Sequence, residues 1–371
     1  MSAQNQARPT IAEIDGRALA ANFKELARVA GSEVGVLPVV KSDAYGHGFA
    51  LVGRFLREAG ADRFGVATTQ EGLDLRAGGV GGPIVVLGGV YPAEYERVVE
   101  ARLAPVVWEA ETAAALAAIA REAGRVVPLH VKVDTGMSRL GASPADAPEL
   151  IETLRALDGV TIEGLLTHFC NAESVEGVET QQQLGKFAEL VRALEARNLR
   201  PPLVHAANSA ATLSTPDAHF DSVRPGLALY GVYPSAAMRT RADLRPAMRF
   251  VSGIVAVRTL PAGMGVGYGA TFVTARPSRI ATVPVGYADG YPRRLSNRGQ
   301  MIVRDQRVPV AGRVCMDHTM IDVTDVPDAR VGDQVELWGA ALPIDEVATL
   351  AETISYELLV RVGARVPRLA I

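Results

Sequence analysis

The chain has 371 residues, 48% of them hydrophobic, and a formal net charge of −3. This length predicts one large core plus a second domain. The balanced charge, without a basic run among aromatics, argues against nucleic-acid binding, and no apolar stretch approaches the roughly 20 residues of a membrane helix. The polar residues 1–6 lack the apolar core of a signal peptide, and the two cysteines make no disulfide framework. We therefore expect a soluble cytoplasmic protein.

From residue 18 onward, short β-rich runs alternate with segments of helical period, such as 18–30, 109–122 and 181–197. The candidate strands are 36–40, 64–67, 84–87, 105–108, 129–133, 162–167, 203–206 and 220–223. Eight strands separated by helices over about 200 residues predict a (β/α)8 barrel of the TIM type. A doubly wound open sheet is the alternative.

The pattern changes near Leu244. Beyond it, short apolar runs alternate with Gly, Pro and Asp turns, and the candidate strands are 249–257, 279–285, 301–304, 307–310, 319–323 and 334–337. One short helix is predicted at 344–352. We therefore expect an α/β protein in which a barrel of residues 1–243 is followed by a mostly-β domain of residues 244–371.

The most informative segment is 39–48, Val-Val-Lys-Ser-Asp-Ala-Tyr-Gly-His-Gly. A mostly apolar run of strand length ends at Lys41, and a polar, glycine-containing turn follows at once. Desolvation at the mouth of a buried strand lowers the pKa of a lysine, which favours the neutral amine that Schiff-base chemistry requires. A lone lysine at a strand end is more often a snorkelling surface residue. The residues that follow Lys41 favour the reactive interpretation.

Other polar residues follow the candidate strands, where barrel enzymes place their chemistry. They are Asp134, Arg139, His168, Asn208, Ser209 and Arg224. Arg139 offers a planar fork for a carboxylate or phenolate oxygen, although it could instead pair with a surface acid. The runs 205–209 and 224–226 supply hydroxyl and backbone donors of the kind that cradle a phosphate, or they are ordinary turns. Together these residues predict a site that binds an anion and contains a reactive amine.

With these residues in view, the chain resembles the alanine racemases, a family of pyridoxal phosphate enzymes, over essentially its whole length. The motifs that carry the resemblance are 39–48, Lys-Val-Asp-Thr-Gly-Met at 132–137, Asn-Ser at 208–209, Gly-Tyr-Gly at 267–269, Val-Gly-Tyr-Ala-Asp-Gly at 285–290 and Gly-Arg-Val-Cys-Met-Asp at 312–317. The first and the last are highly specific in combination, whereas Gly-Tyr-Gly alone is not. The resemblance implies interconversion of L- and D-alanine. The D-alanine would be supplied to cell-wall peptidoglycan, or the enzyme would serve the catabolism of L-alanine, and both roles stay open on the sequence.

The resemblance also implies that Lys41 holds pyridoxal 5'-phosphate through a Schiff base. Four residues match positions that contact the cofactor phosphate, namely Tyr45, Ser209, Gly226 and Tyr356. Arg224 matches the arginine that faces the pyridine nitrogen. Because an arginine is not a practical proton donor, that nitrogen should stay unprotonated, which disfavours transamination.

Racemisation removes a proton from one face of Cα and delivers another to the opposite face. Lys41 resembles the first base and Tyr268 the second. A tyrosine has a reference pKa of about 10, so it needs hydrogen-bonding or cationic neighbours to act as a base near neutrality. His168 matches the residue that hydrogen-bonds this tyrosine, with Arg224 behind it.

In the family, the tyrosine and the methionine of the Cys-Met-Asp motif reach in from the other subunit, so a homodimer is implied. Met316 would bind the substrate carboxylate through its backbone N–H, with Arg139 near that carboxylate and the cofactor's phenolic oxygen. Lys132 precedes Arg139 by seven residues, at a position where many members carry a carbamylated lysine. A carbamate is anionic and would orient Arg139.

Several alternatives stay open on the sequence. A serine or broader amino-acid racemase is the nearest, because pocket volume sets specificity. A pyridoxal phosphate decarboxylase would place a carboxylate against the pyridine nitrogen, and Arg224 argues against it. A non-catalytic cofactor-binding barrel would leave residues 245–371 without a purpose. Cys170 and Cys315 are expected to be buried apolar groups, and no cluster has metal-ligand spacing.

Overall fold

The computed structural model describes residues 8–174 and 177–371; the predicted absence of a signal segment concerns residues 1–6, which lie outside these ranges. The described chain divides into two compact units. One comprises residues 17–44 and 49–245, and the other comprises 8–16, 45–48 and 246–371. Within the described ranges, none of the helices combines the length and apolar character that a membrane crossing requires.

The first unit is built on eight parallel strands. They are β2 (Gly35–Val36), β3 (Phe64–Val66), β4 (Ile84–Val86), β5 (Ala104–Val107), β6 (Val127–Lys132), β7 (Val160–Leu166), β8 (Leu203–His205) and β9 (Ser222–Val223). Strands β3 to β8 form one parallel sheet in chain order, and β2 pairs with β9. Their short, β-branched, wholly buried runs are typical of parallel strands covered on both faces.

The row of strands closes on itself. The segment after β2 bridges to β3 between Val39 and Gly65, and the Asp221 N–H donates to the Val204 carbonyl oxygen at 3.0 Å between β9 and β8. The predicted (β/α)8 barrel is therefore confirmed, and the open-sheet alternative is wrong because β2 has a neighbour on each side.

Helices cover the barrel. They are α1 (Gly16–Ala30), α3 (Phe49–Glu58), α4 (Thr69–Ala77), α5 (Tyr95–Glu100), α6 (Ala110–Glu122), α7 (Ala147–Arg155), α8 (Val178–Ala196) and α9 (Ser209–Ser214), and α2 (Lys41–Tyr45) is a single turn discussed below. In α1, Leu19, Phe23, Leu26 and Ala30 are buried, which is the spacing of an amphipathic helix.

The second unit is mostly β. Its largest sheet has the order β16 (Gln306–Pro309), β15 (Gln300–Val303), β18 (Gln334–Trp338), β10 (Met248–Gly253), β1 (Ile11–Ile14) and β19 (Arg368–Ala370). A smaller sheet has the order β11 (Ala256–Leu260), β14 (Ser278–Val283) and β17 (Thr319–Asp322), and β12 (Gly265–Val266) pairs with β13 (Phe272–Val273). Two short helices, α10 (Ile344–Leu350) and α11 (Ser355–Val360), complete the unit.

The compact units differ from a single cut at 243/244 in two places. Strand β1 pairs with β10 and β19, so residues 8–16 belong with the second unit. Residues 45–48 do so as well, because the Arg368 guanidinium donates to the Gly46 carbonyl oxygen at 2.9 Å. The sequence did not reveal β1, whose four residues are too short to be distinguished from a coil by periodicity.

The motif 285–290 contains a buried carboxylate. The Asp289 side chain is fully buried, and it accepts hydrogen bonds from Arg8 at 2.6 Å and Arg365 at 2.7 Å. Burial alone raises the pKa of Asp289, but the hydrogen bonds from Arg8, Arg365 and the Gly286 N–H outweigh it and lower the pKa below its ordinary value. Asp289 therefore has a structural role, because it links Arg8 and Arg365 to the turn at 285–290.

We expect Asp289→Asn to lower the free energy of unfolding by about 2–4 kcal/mol at pH 7, because two arginines lose a charged acceptor. Since the folded-state pKa of Asp289 is lowered, its stabilisation is present above the unfolded pKa of about 4 and declines as the pH falls through the folded value. Urea titration should show a difference from wild type that narrows at acidic pH. Asp325→Asn is the control, because this exposed residue pairs only with Arg276 in the described structure; an equal effect of the two variants would contradict the assignment.

Candidate functional site

The carboxyl ends of the barrel strands bring the predicted polar residues to one mouth. Each follows a different strand, and the set consists of Lys41 after the segment that extends β2, Lys132 at the end of β6, His168 after β7, Ser209 after β8 and Arg224 after β9. Because the strands are parallel and closed, these ends face one another.

Positive charge dominates this mouth. The Lys41 side chain is accessible to solvent, yet desolvation by the surrounding protein and the nearby Arg139 guanidinium lower its pKa, and Glu71 partly opposes the shift. Burial, Arg139 and Arg224 lower the pKa of Lys132 to about 8. Such mutual effects require cations that lie close together, so the site is suited to a ligand with several negative charges.

The turn that carries Lys41 has an unusual backbone. In α2 the φ angles of Ser42, Asp43 and Ala44 are 56°, 51° and 55°, and that of Tyr45 is 52°. A left-handed conformation costs roughly 1–2 kcal/mol per residue for side chains other than glycine, so these four residues store strain beside the reactive amine.

Two carboxylates hold this turn. The Ser42 N–H donates to Glu71 Oε1 at 2.7 Å, and the Phe49 N–H donates to Asp43 Oδ1 at 2.8 Å. The other oxygen of Glu71 accepts the Ala67 N–H at 2.7 Å. Glu71 thus joins the loop after β2 to the loop after β3. We did not predict this residue, although Thr68-x-x-Glu71 is the sequence signature of a helix capping box, and the structure contains that box at the start of α4.

Asp134 shapes the loop that presents Arg139. Its Oδ1 accepts the N–H groups of Gly136 and Met137 at 2.9 Å and of Ser138 at 3.1 Å. Burial would raise the pKa of Asp134, but these three hydrogen bonds lower it overall. The Arg139 side chain is exposed, and in the described part of the chain no carboxylate pairs with it, so its planar fork is available for a ligand.

The two predicted phosphate-binding segments meet in the barrel. The Ser209 Oγ accepts the Gly226 N–H at 2.8 Å and the Ala228 N–H at 3.2 Å. Ser209 and Gly226 are buried. These two N–H groups are used by the serine oxygen, so the Ser209 hydroxyl proton is the group that remains to be donated to a phosphate oxygen.

Arg224 lies against His168. Its Nη2 is 3.3 Å from His168 Nδ1. Because a guanidinium only donates, His168 Nδ1 accepts, and the ring proton is assigned to Nε2. Burial and the charges of Arg224, Arg139, Lys132 and Lys41 lower the pKa of His168 well below its ordinary value. The ring is therefore neutral and presents one N–H donor.

Gln183 of α8 is a second positioning residue that the sequence did not reveal. Its Nε2 donates to the His168 carbonyl oxygen at 3.0 Å and to Thr135 Oγ1 at 3.3 Å, and its Oε1 accepts the Cys170 N–H at 2.9 Å. It fixes the loops after β6 and β7 against each other. A glutamine within an amphipathic helix carries no signal in a single sequence.

The second unit contains the remaining predicted residues. The Tyr45 and Tyr356 rings lie 6.1 Å apart between centroids. Tyr268 lies in a turn between β12 and β13 and is 72% exposed, and Met316 is 53% exposed. The segment that leads to Met316 packs on this hairpin, because a Cβ at Gly312 would lie 2.6 Å from the Val266 carbonyl oxygen.

The prediction that both cysteines are buried is wrong. Cys170 is exposed and Cys315 is half-buried, and both are free thiols. Each cysteine lies in a loop beside a buried residue. Phe169 is buried next to Cys170, and Val314 is buried next to Cys315.

The mouth of the barrel contains a lysine of lowered pKa, a hydroxyl that can donate a hydrogen bond to a phosphate, and a buried arginine. These groups are typical of the class of enzymes that use an aldehyde cofactor. Residues 14–234 match the alanine racemase N-terminal domain family, and residues 247–370 match the alanine racemase C-terminal domain family. The chain belongs to the alanine racemase family.

Individual relatives agree over nearly the full length. The alanine racemase of Halothermothrix orenii is 44% identical over 365 residues, which cover 97% of this chain and 96% of the relative. The structure of alanine racemase from Clostridium difficile 630 has a TM-score of 0.95 at 34% identity and covers 99% of this chain and 97% of that one. A Bacillus anthracis alanine racemase with bound L-Ala-P has a TM-score of 0.91 at 33% identity, with coverage of 99% and 96%.

We expect Glu71→Gln to lower the pKa of Lys41 further, because the carboxylate that opposes the shift is removed. The same variant should lower the free energy of unfolding by about 1–3 kcal/mol, since one amide oxygen cannot accept three N–H groups. The pH dependence of Lys41 acetylation in the cofactor-free protein, read by mass spectrometry, measures the first effect, and urea titration measures the second. Glu111→Gln, an exposed change on α6, is the control, and an unchanged acetylation midpoint in Glu71→Gln would contradict this role.

Proposed function

We propose that this protein interconverts L- and D-alanine with pyridoxal 5'-phosphate. The observation that carries the proposal is the excess of positive charge at the barrel mouth. The charge of Arg139 helps to lower the pKa of Lys41, and the charges of Arg139, Arg224 and Lys41 help to lower that of Lys132. The nearby acids in this electrostatic network are Glu71 and Asp134. A phosphate, a phenolate oxygen and a substrate carboxylate supply the complementary charge.

The residues present fit this cofactor. Lys41 would hold its aldehyde carbon, and Ser209 and Gly226 would hold its phosphate. Arg224 uses Nη1 and Nη2 for protein contacts. Among the described residues no acceptor is recorded for its Nε, so this N–H remains for the acceptor nitrogen of a pyridine ring. The predicted phosphate contacts of Tyr45 and Tyr356 stay a prediction.

When bound, pyridoxal phosphate withdraws electrons from the substrate Cα and makes its proton acidic. Lys41, whose pKa is lowered, would then take or deliver a proton on one face of Cα. Tyr268 would do so on the other face. The His168 Nε2–H is a donor that stabilises a phenolate, which lets a tyrosine act as a base near neutral pH.

Arg139 and Met316 would bind the substrate carboxylate. The exposed guanidinium of Arg139 is oriented by the loop that Asp134 closes, and a fork of this kind binds a carboxylate through two parallel hydrogen bonds. Met316 would contribute its backbone N–H rather than its thioether.

A homodimer follows from the proposed role of Tyr268 and Met316. Both side chains are largely exposed in the single chain, as are Met264, Val273 and Tyr287 of the same unit. Exposed aromatic and methionine side chains are enriched at protein–protein contacts. We therefore propose that residues 244–371 complete the partner's active site and that residues 1–243 bind the cofactor.

We also propose that Lys132 is carbamylated. Its lowered pKa, about 8, leaves part of the amine neutral near pH 7.5. That nitrogen can attack CO2: a C–N bond forms, one C=O electron pair moves to oxygen, and a proton is released. The resulting carbamate would replace a cation beside Arg139 with an anion and so orient the guanidinium.

The state of the two cysteines supports our proposal of a cytoplasmic location. Both cysteines are free and Cys170 is exposed, and such thiols persist in a reducing compartment. Use of D-alanine in peptidoglycan stays a prediction.

We expect purified wild-type protein to be yellow and to racemise alanine faster than serine or other amino acids in a circular-dichroism assay. Lys41→Ala should abolish both the colour and turnover, because no amine remains to hold the aldehyde. Lys24→Ala, an exposed change on α1, is the control. Turnover by colourless Lys41→Ala protein would refute the proposal, and faster turnover of serine would reassign the substrate.

We expect Tyr268→Phe to keep the colour but to slow proton abstraction from L-alanine by about 10²–10⁴-fold, and far more than from D-alanine. Solvent isotope exchange into each isomer separates the two steps. Tyr91→Phe, which is 71% exposed, is the control. Equal slowing of both exchanges would contradict the two-base assignment.

The source of Tyr268 can be tested by mixing two inactive variants. If Tyr268 acts in the partner's site, a hybrid of Lys41→Ala and Tyr268→Phe chains contains one site with both wild-type residues. Refolding the two together should then restore about a quarter of wild-type activity at random pairing. No recovery, with hybrids verified by mass spectrometry, would place Tyr268 in the site of its own chain.

Carbamylation predicts that ¹³C-bicarbonate gives a carbamate carbon signal in the NMR spectrum of the protein. The signal should be lost in Lys132→Arg and retained in Lys186→Arg, a change to an exposed lysine of α8. A wild-type spectrum without this signal at saturating bicarbonate would refute the modification.

A further inference from the structure

Arg224 is a buried cation whose direct contacts carry no negative charge. It is 4% exposed. Its guanidinium donates to the carbonyl oxygens of Thr167 and His205 at 2.7 Å and of Ala206 at 3.0 Å, and its other two contacts are ring nitrogens of His168 and His205. A buried charge requires compensation, and carbonyl dipoles supply only part of it.

The histidine contacts have a fixed direction. Arg224 Nη1 lies 3.0 Å from His205 Nδ1, and since the guanidinium can only donate, this nitrogen accepts. The His205 proton is therefore on Nε2, which lies 2.9 Å from His130 Nδ1. That nitrogen must accept in turn, so the His130 proton is on Nε2. A chain of donors thus runs from Arg224 through two buried rings, away from the barrel mouth.

The chain ends beside a carboxylate. His130 Nε2 is buried with no hydrogen-bond partner among the described residues, and it lies 3.9 Å from Glu163 Oε2. Burial and the charges of Arg63 and Arg224 lower the pKa of His130 to about 3. The ring is neutral, so the contact joins an N–H dipole to a carboxylate rather than two opposite charges.

Two features of β7 create this contact. The pairing of β6 with β7 passes from Leu129 with Ile162 to His130 with Gly164, which leaves Glu163 as the extra residue of a β-bulge. Bulges redirect a side chain from its regular alternation. Gly164 is also required, because a Cβ there would lie 2.0 Å from His130 Nδ1.

Glu163 also reaches the opposite end of the barrel from the mouth. It lines a cavity of about 810 Å³ with Pro83, Leu103 and Val127, residues at or beside the amino ends of β4, β5 and β6. The same cavity contains Arg76, Arg102 and Arg125, of which Arg76 and Arg125 donate to backbone carbonyl oxygens.

We propose that Glu163, His130 and His205 are positioning residues. The electrostatic effect of the Glu163 carboxylate reaches Arg224 through the two neutral histidine rings. The carboxylate 3.9 Å from His130 Nε2 polarises that ring electrostatically, and the hydrogen bond that His205 donates to His130 makes His205 Nδ1 a stronger acceptor for the guanidinium. The arginine is thereby held through Nη1 and Nη2, which leaves its Nε for a ligand. The inference rests on the proposed function, because the orientation of Arg224 matters for turnover if it faces the cofactor ring.

The first test reads the ring protons without activity. In the cofactor-free protein with ¹⁵N-histidine, two-bond ¹H–¹⁵N NMR spectra distinguish the two neutral tautomers, and the His130→Asn and His205→Asn variants assign the signals. We expect the Nε2–H tautomer for both rings in wild type. Glu163→Leu should keep both tautomers, because Arg224 fixes them, but should shift the ring ¹⁵N signals of His130 and His205, whereas Glu100→Gln, which lines the same cavity, should shift neither. Unshifted signals in Glu163→Leu would contradict the proposal. An Nδ1–H tautomer in wild type would overturn the proposal.

The second test separates charge from shape in the loaded enzyme. Glu163→Gln keeps the size and an acceptor oxygen but removes the charge, so we expect kcat to fall by about tenfold with KM changed less than about twofold. Glu163→Asp should recover part of the loss, and Glu100→Gln should match wild type. Wild-type kcat in Glu163→Gln overturns the proposal. A wild-type protein without racemase activity rejects the proposed function instead, whatever the ring signals show.

Discussion

The closed row of parallel strands is the constraint on which the rest of this protein depends. Because β2 pairs with β9 and the segment after β2 bridges to β3, residues almost 200 positions apart in sequence meet at one mouth. The polar residues could not be brought together by local structure, since each follows a different strand. Closure also creates the interior in which Arg224, His205 and His130 are buried. The burial of the Arg224 charge between two neutral histidine rings is therefore a consequence of barrel closure.

A chain of side chains connects the two ends of the barrel. Cations collect at the mouth and lower the pKa values of Lys41 and Lys132, while the chain of ring nitrogens leads from Arg224 toward Glu163. A site of this kind favours an anionic ligand before any specific contact is made, because several cations are already in place and their repulsion is relieved when the ligand binds. Orientation then depends on residues behind the site, such as Gln183 and Glu71.

Backbone strain is concentrated directly after Lys41, the residue that we propose holds the cofactor. Four successive residues after Val40 and Lys41 adopt a left-handed backbone, and two carboxylates maintain it. The turn carries Lys41 at the mouth and leads to Tyr45, whose ring lies 6.1 Å from that of Tyr356. An ordinary right-handed turn would continue the chain in another direction, so the energetic cost is tied to the placement of both side chains.

The sequence by itself determined the strand and helix alternation, the family, and the residues that follow the barrel strands, because periodicity and short motifs are local properties. It did not reveal β1, the left-handed turn, Gln183 or the Arg224–His205–His130–Glu163 chain. Those depend on contacts between residues far apart in the chain, such as the 75 positions between His130 and His205, and on a bulge whose register exists only once β6 and β7 have paired. Residue type failed as a guide to Cys170 for the same reason: burial is decided by the neighbours that tertiary structure supplies, and Phe169 occupies the interior there.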